Sequence, residues 1–196
     1  MYAAVERLNE VPGIAAYELN YSCPNVKEGG LSFSSDPIVA ERLTRCVVEQ
    51  TRRPVIAKLT PNVTHIHEIG LAVQSGGADA VSAVNTFLGM AVNIKTKRPK
   101  LNRVIGGYSG PAIKPMALAK VYELVQHLSI PVIAIGGISS AQDALEFLIT
   151  GASAVQIGTA NFAEPDITIK IKKGLIDYCE NQNVNAIADI IGSLQT

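Results

Sequence analysis

Directly after the apolar run 14–19 the chain reads Asn20-Tyr21-Ser22-Cys23-Pro24-Asn25, two carboxamides enclosing a hydroxyl and a thiol beside a proline. Cys23 stands in a polar loop, where its sulfur is accessible and the loop can carry it toward or away from a ligand. A free thiol has a pKa of about 8.5, so Cys23 serves as a base only when it is activated or when the proton it takes is acidic. His65 and His67 open a helical stretch and read as solvated or capping side chains, not as the imidazole partner that a nucleophilic cysteine requires. Cys46 and Cys179 fall on helical segments and read as small buried hydrophobes.

Further polar residues recur at the ends of apolar runs. Lys58 lies inside "VIAKLTP", and burying its ammonium without an anion costs several kcal/mol, so it either meets an anion or reaches out to water along its flexible stem. Asn20 and Asn85 each present a donor and an acceptor, which suits a planar ligand bearing carbonyls and ring N–H groups as well as ordinary turn capping. Gly136-Gly137 and Gly158-Thr159 follow apolar runs in two successive units, where bare backbone N–H groups and a helix N-terminus can approach a phosphate.

The elements that position these residues alternate. Short runs rich in Val, Ile and Ala at 14–19, 55–59, 80–84, 132–135 and 154–157 read as strands. Helical period occupies 37–48, 65–75, 114–128, 139–149 and 165–179, with Asp36 as an N-cap and Pro115 and Pro165 near helix starts. Such alternation specifies right-handed crossovers between parallel strands buried on both faces, and the phrase strand, glycine turn, helix, Gly-Ala, strand repeats as it does in a (β/α)8 barrel. In that fold, reactive groups gather in the loops after the strand C-termini. Residues 87–110 interrupt the pattern, with Met90, Val92 and Ile94 alternating before a glycine-rich close, and read either as an inserted hairpin forming a lid or as a solvated loop.

Composition sets outer limits. Seventeen basic residues balance seventeen acidic ones, so no net field favours nucleic acid or an anionic membrane surface. The three cysteines are far apart and form neither a zinc motif nor a disulfide framework, which fits a cytoplasmic location, and no metal site is expected. No apolar run approaches the length of about 18 residues that a membrane span needs, so no membrane partner is expected either.

The segments "ELNYSCPNVKEGG", "VIAKLTPN", "AVNTFLGMAV", "GGYSGPAIKPMALA", "IPVIAIGGI" and "GASAVQIGTANF" together resemble the class 1 dihydroorotate dehydrogenases, and Val26 to Gly30, Asn85-Thr86 and Ser109-Gly110-Pro111 look most like the NAD-linked B type. The resemblance runs along essentially the whole chain. It implies a TIM (β/α)8 barrel of which residues 1–196 form one partial FMN-binding domain, carrying about the last five β/α units. With the first three units missing, two open sheet edges and an incomplete groove are expected. The implied activity is oxidation of dihydroorotate to orotate with hydride transfer to FMN, in pyrimidine biosynthesis. Cys23 is implied as the catalytic base, Asn20, Asn25, Asn85 and Thr86 as substrate ligands, and Asn20, Lys58, Val84, Gly110, Gly136, Gly137, Gly158 and Thr159 as FMN ligands. The family further implies a homodimer and a partner subunit carrying FAD and an iron-sulfur cluster, since no cysteine cluster is present here to hold one. Two other readings stay open from the residues alone. One is a non-catalytic partial barrel acting in assembly, and the other is a phosphate-binding lyase that uses Lys58 as a Schiff base.

Overall fold

The computed structural model of this protein describes residues 2–21 and 35–195. Cys23 and Asn25 lie outside the described residues.

The five apolar runs assemble into one parallel sheet of β1 (Tyr17–Asn20), β2 (Val55–Leu59), β3 (Ala80–Ala83), β8 (Val132–Ile135) and β9 (Ala154–Gln156), hydrogen-bonded in that order. Between β3 and β8 lie four antiparallel strands, β4 (Phe87–Met90), β5 (Val92–Asn93), β6 (Arg98–Pro99) and β7 (Ile105–Tyr108). β4 pairs with β7 and β5 with β6, so the inserted segment forms a two-tiered hairpin. Among the described residues the helices include α1 (Tyr2–Asn9), α2 (Pro37–Val48), α3 (Ile66–Ser75), α4 (Lys114–His127), α5 (Ala141–Thr150), α6 (Ala160–Ala163) and α7 (Ile167–Gln182), with 3-10 turns at Pro111–Ile113 and Ile187–Ile190.

Local chemistry sets several of these boundaries. Asp36 accepts hydrogen bonds from the backbone N–H of Ile38 (2.9 Å) and Val39 (3.3 Å), and Pro37 presets the first turn of α2. Ser140 caps α5 by accepting from Asp143 N at 3.1 Å, and Gly151 ends that helix in the left-handed conformation. β1 begins at Tyr17, three residues later than the apolar run, because pairing starts with Tyr17 N donating to Pro54 O at 2.9 Å. α1 is held from outside: Arg53 donates to the carbonyls of Leu8 (2.7 Å), Asn9 (3.2 Å) and Val11 (2.9 Å).

One face of the sheet packs on the helices. Val55, Ala57, Leu59, Val81, Ala83, Val132 and Ala134 are all at most 3% exposed and meet Val73, Val121, Leu124 and Phe147, which are fully buried. The opposite face lines the lumen, where Glu18, Asn20, Lys58, Ser82 and Gln156 alternate with these core residues along their strands. β1 and β9 stand at opposite edges of the sheet, yet Gln156 Nε2 donates to Glu18 Oε2 at 2.8 Å, so the sheet curves enough for its two ends to touch across the lumen. This is a five-strand arc of a (β/α)8-type barrel.

One assignment is corrected. Cys46 is exposed, because the buried stripe of α2 follows Ala40, Thr44 and Val47, and a residue one position before Val47 is rotated by about 100° from it.

Candidate active site

The loops after the strand C-termini converge on a cavity of about 160 Å³. Of the residues singled out from the sequence, Lys58, Val84, Asn85, Thr86 and Gly110 line it. So do Gly136, Gly137, Gly158 and Thr159, while Asn20 reaches the same rim through a 3.1 Å hydrogen bond that it accepts from Asn85 Nδ2. Asn85 also accepts from Thr86 N at 2.7 Å, so one carboxamide fixes the backbone beyond β3 and ties it to the end of β1. The peptide bond between Ala83 and Val84, at the end of β3, is cis.

Lys58 has an anion partner within the protein. Its Nζ lies 3.2 Å from Glu18 Oε1, in a pair whose side chains are only about a quarter exposed. Burial alone would raise the Glu18 pKa, but the hydrogen bond from Gln156 and the Lys58 charge outweigh it and hold the carboxyl below its ordinary value. Ser82 contributes in the same direction, although its buried hydroxyl has no hydrogen bond at ordinary distance. The Lys58 charge is thus anchored at the lumen end of the cavity and its desolvation is met by Glu18, not left for a ligand to satisfy.

The glycine turns differ from one another. A Cβ on Gly136 would meet the Ala117 Cβ at 2.7 Å, and one on Gly137 would meet the Lys114 backbone N at 2.7 Å, so at both positions the protein itself fills the space. Gly158 has nothing within 4 Å of its Cβ position, and Gly110 only Thr159 Cγ2 at 3.9 Å. The room that glycine leaves for a ligand is therefore on the side of Gly158 and Gly110, beside Thr159, whose hydroxyl donates to Ser109 Oγ at 2.8 Å.

Three supporting residues escaped the sequence reading. Glu18 and Gln156 are visible there only as polar residues within apolar runs. Asn62 donates through Nδ2 to Thr86 O at 3.0 Å and accepts from Leu88 N at 3.0 Å, fixing the base of the hairpin. Behind the turn, Lys114 Nζ lies 2.8 Å from both Asp143 and Glu146, binding the start of α4 to α5.

The Glu18-paired Lys58, the linked amides of Asn20 and Asn85 and the open turn at Gly158 thus meet at the C-terminal rim, where barrels of this type gather their ligand-binding loops. The family model described as "Dihydroorotate dehydrogenase" matches residues 2–178. The chain belongs to the dihydroorotate dehydrogenase family. It is 49% identical over 177 residues to the catalytic subunit of dihydroorotate dehydrogenase B (NAD(+)) from Alkaliphilus oremlandii, covering 90% of this chain and 59% of that protein. To the subunits of the same name from Geotalea uraniireducens and Bacteroides thetaiotaomicron it is 47% identical, with 97% of this chain and 63% of each relative covered. The chain thus spans about 60% of the length of these family members. The fold agrees with that of the Eimeria tenella enzyme solved with ferulenol, at a TM-score of 0.82 and 20% identity over 98% of this chain and 56% of that one. No helix among the described residues is long and apolar enough to cross a membrane.

Proposed function

We propose that this chain carries the flavin- and substrate-facing segment of an FMN-dependent dihydroorotate dehydrogenase of the NAD-linked B type, which oxidises dihydroorotate to orotate in pyrimidine synthesis. The observation that carries the reading is the rim cavity in which Lys58, Asn85, Thr86 and the open Cβ space at Gly158 and Gly110 meet. Its volume of about 160 Å³ is below the roughly 300–1,000 Å³ of a whole small-molecule site, so it accounts for part of the cofactor's footprint.

Bound FMN, held by the residues named below, would supply the two-electron acceptor for oxidation of dihydroorotate. Cys23, by family resemblance, takes the C5 proton. Asn20, Asn25, Asn85 and Thr86 hold the pyrimidine by its carbonyl and N–H edges, and Asn20 also contacts the flavin. Lys58, steadied by Glu18, would offer a fixed positive charge to the flavin ring system, and Val84 would supply apolar contact to it. Gly110, Gly136, Gly137, Gly158 and Thr159 surround the phosphate. The hairpin at 87–110 serves as a lid over this rim. Electrons leave for NAD through a partner subunit bearing FAD and an iron-sulfur cluster, and the catalytic subunits pair as a homodimer.

Flavin absorbance of the purified protein after incubation with FMN and gel filtration is the first test, and a colourless product would sink the reading. In the flavin-loaded protein, Cys23→Ser should lower dihydroorotate oxidation at least about a hundredfold, the usual scale of a lost general base. An unchanged rate would remove Cys23 from that role.

A further inference from the structure

All three histidines of the chain lie in one cluster on the outer helix layer, away from the rim cavity. His65 is the N-cap of α3, His67 lies in its first turn, and His127 ends α4 one turn after Glu123. His67 Nδ1 is 2.6 Å from Glu123 Oε1, and the His67 ring is stacked on that of His127 at 4.1 Å. His127 Nδ1 is turned to the backbone carbonyl of Glu123 at 2.7 Å, which fixes the ring that packs on His67. His65 makes no side-chain capping bond, although the N-cap position favours residues that do, and its ring centroid lies 5.6 Å from that of His67.

We propose that His65, His67 and Glu123 bind a divalent transition ion of the zinc class, with two imidazole nitrogens and one carboxylate oxygen as ligands and water completing the shell. One ligating atom from each of the three lies within 4.8 Å of the others. Ligands about 2.0–2.2 Å from a tetrahedral zinc stand about 3.3 Å apart, so the close His67–Glu123 pair opens slightly and the exposed His65 side chain swings in. Two imidazoles select zinc, nickel or copper over magnesium or calcium. Two features oppose the ion: Lys120 Nζ lies 3.5 Å from Glu123 Oε2, and the N-terminus of α3 carries positive partial charge. Affinity should therefore be on the order of micromolar, short of the tightness of structural zinc sites.

The ion would fasten a segment that reaches the active rim. Lys120 already donates to the carbonyls of Val63 (3.1 Å) and Thr64 (2.8 Å), clamping the loop after β2 onto α4. Asn62 in that loop holds Thr86 and Leu88, so an ion on His65 adds a second clamp below the hairpin.

Titration of the intact chain with zinc chloride by calorimetry, with cobalt chloride absorption in parallel, tests the site. One ion per chain is expected, with visible cobalt bands that lack thiolate charge transfer. His65→Ala and His67→Ala should each weaken binding at least about tenfold, while Cys46→Ser and Cys179→Ser leave it unchanged. His65 is exposed, so its variant tests the ligand without disturbing the core. Undiminished affinity in the His65→Ala/His67→Ala double variant, loss of binding in either cysteine variant, or no binding at millimolar zinc would each overturn the proposal.

Discussion

At the end of β8 the backbone passes through Gly136 and Gly137 with φ of +134° and +76°, and α4 lies so close that Ala117 and Lys114 occupy the volume of any side chain. At the end of β9 the turn through Gly158 is open, with the cavity in front of it. In sequence both are glycines following a short apolar run. The first pair is demanded by the protein's own packing and would be needed with no ligand in view. Gly158 has no such packing reason, since the space a side chain would take there is open. Glycine after a barrel strand is therefore evidence for a ligand only where the space it leaves is empty.

The largest effect expected from this contrast is on folding. Gly136→Ala places a methyl against Ala117 in a left-handed conformation, and overpacking and backbone strain together should cost about 3 kcal/mol in urea unfolding. A loss below about 0.5 kcal/mol would show that α4 can withdraw and that the two turns are alike.

A smaller effect concerns the anchor behind the first turn. Burial alone would raise the Asp143 pKa, yet the hydrogen bond from Lys114 and those from Ser139 and Ser140 bring it down to about 2 from an ordinary 3.8. A carboxyl with a depressed folded pKa stabilises the fold above its unfolded value and loses that contribution as the pH falls through the folded one. Asp143 should thus contribute about 2 kcal/mol above roughly pH 4, fading toward pH 2. The stability gap between the native chain and Asp143→Asn should close over that window, and a gap that stays constant with pH would contradict the assignment.

What was legible in the sequence follows the range of the forces involved. The five strands and their helices are local statements, written in apolar period and in caps such as Asp36 and Ser140. α1 was not read, because a helix of only eight residues is marginal by itself and gains its place from Arg53, 44 positions on from Asn9. Nine of the residues singled out for ligands line one cavity because strand C-termini in a parallel barrel share one rim, a rule that needs only the order of elements. Lys58 was legible as a charge needing an anion. That the anion is Glu18 depends on β1 and β2 being neighbours with Asn20 opposite Lys58, which is register and not composition. Asn62 gains its role only where the loop after β2 meets the hairpin, again a contact between distant segments.

Gly158→Ala should have the smallest effect on folding and the sharpest on function. The added methyl enters space with no atom within 4 Å, so the unfolding free energy should change by less than about 0.5 kcal/mol. The same methyl occupies the cradle proposed for the phosphate, and FMN binding, read by quenching of flavin fluorescence on titration of the apoprotein, should weaken about tenfold, or about 1.4 kcal/mol. Gly136→Ala has the opposite order of effects, since its methyl meets Ala117 and the loss shows first in stability. Equal FMN affinity in Gly158→Ala and the native chain would mean that the empty space beside Thr159 is not where the anion sits, and the distinction between the two turns would then be one of packing alone.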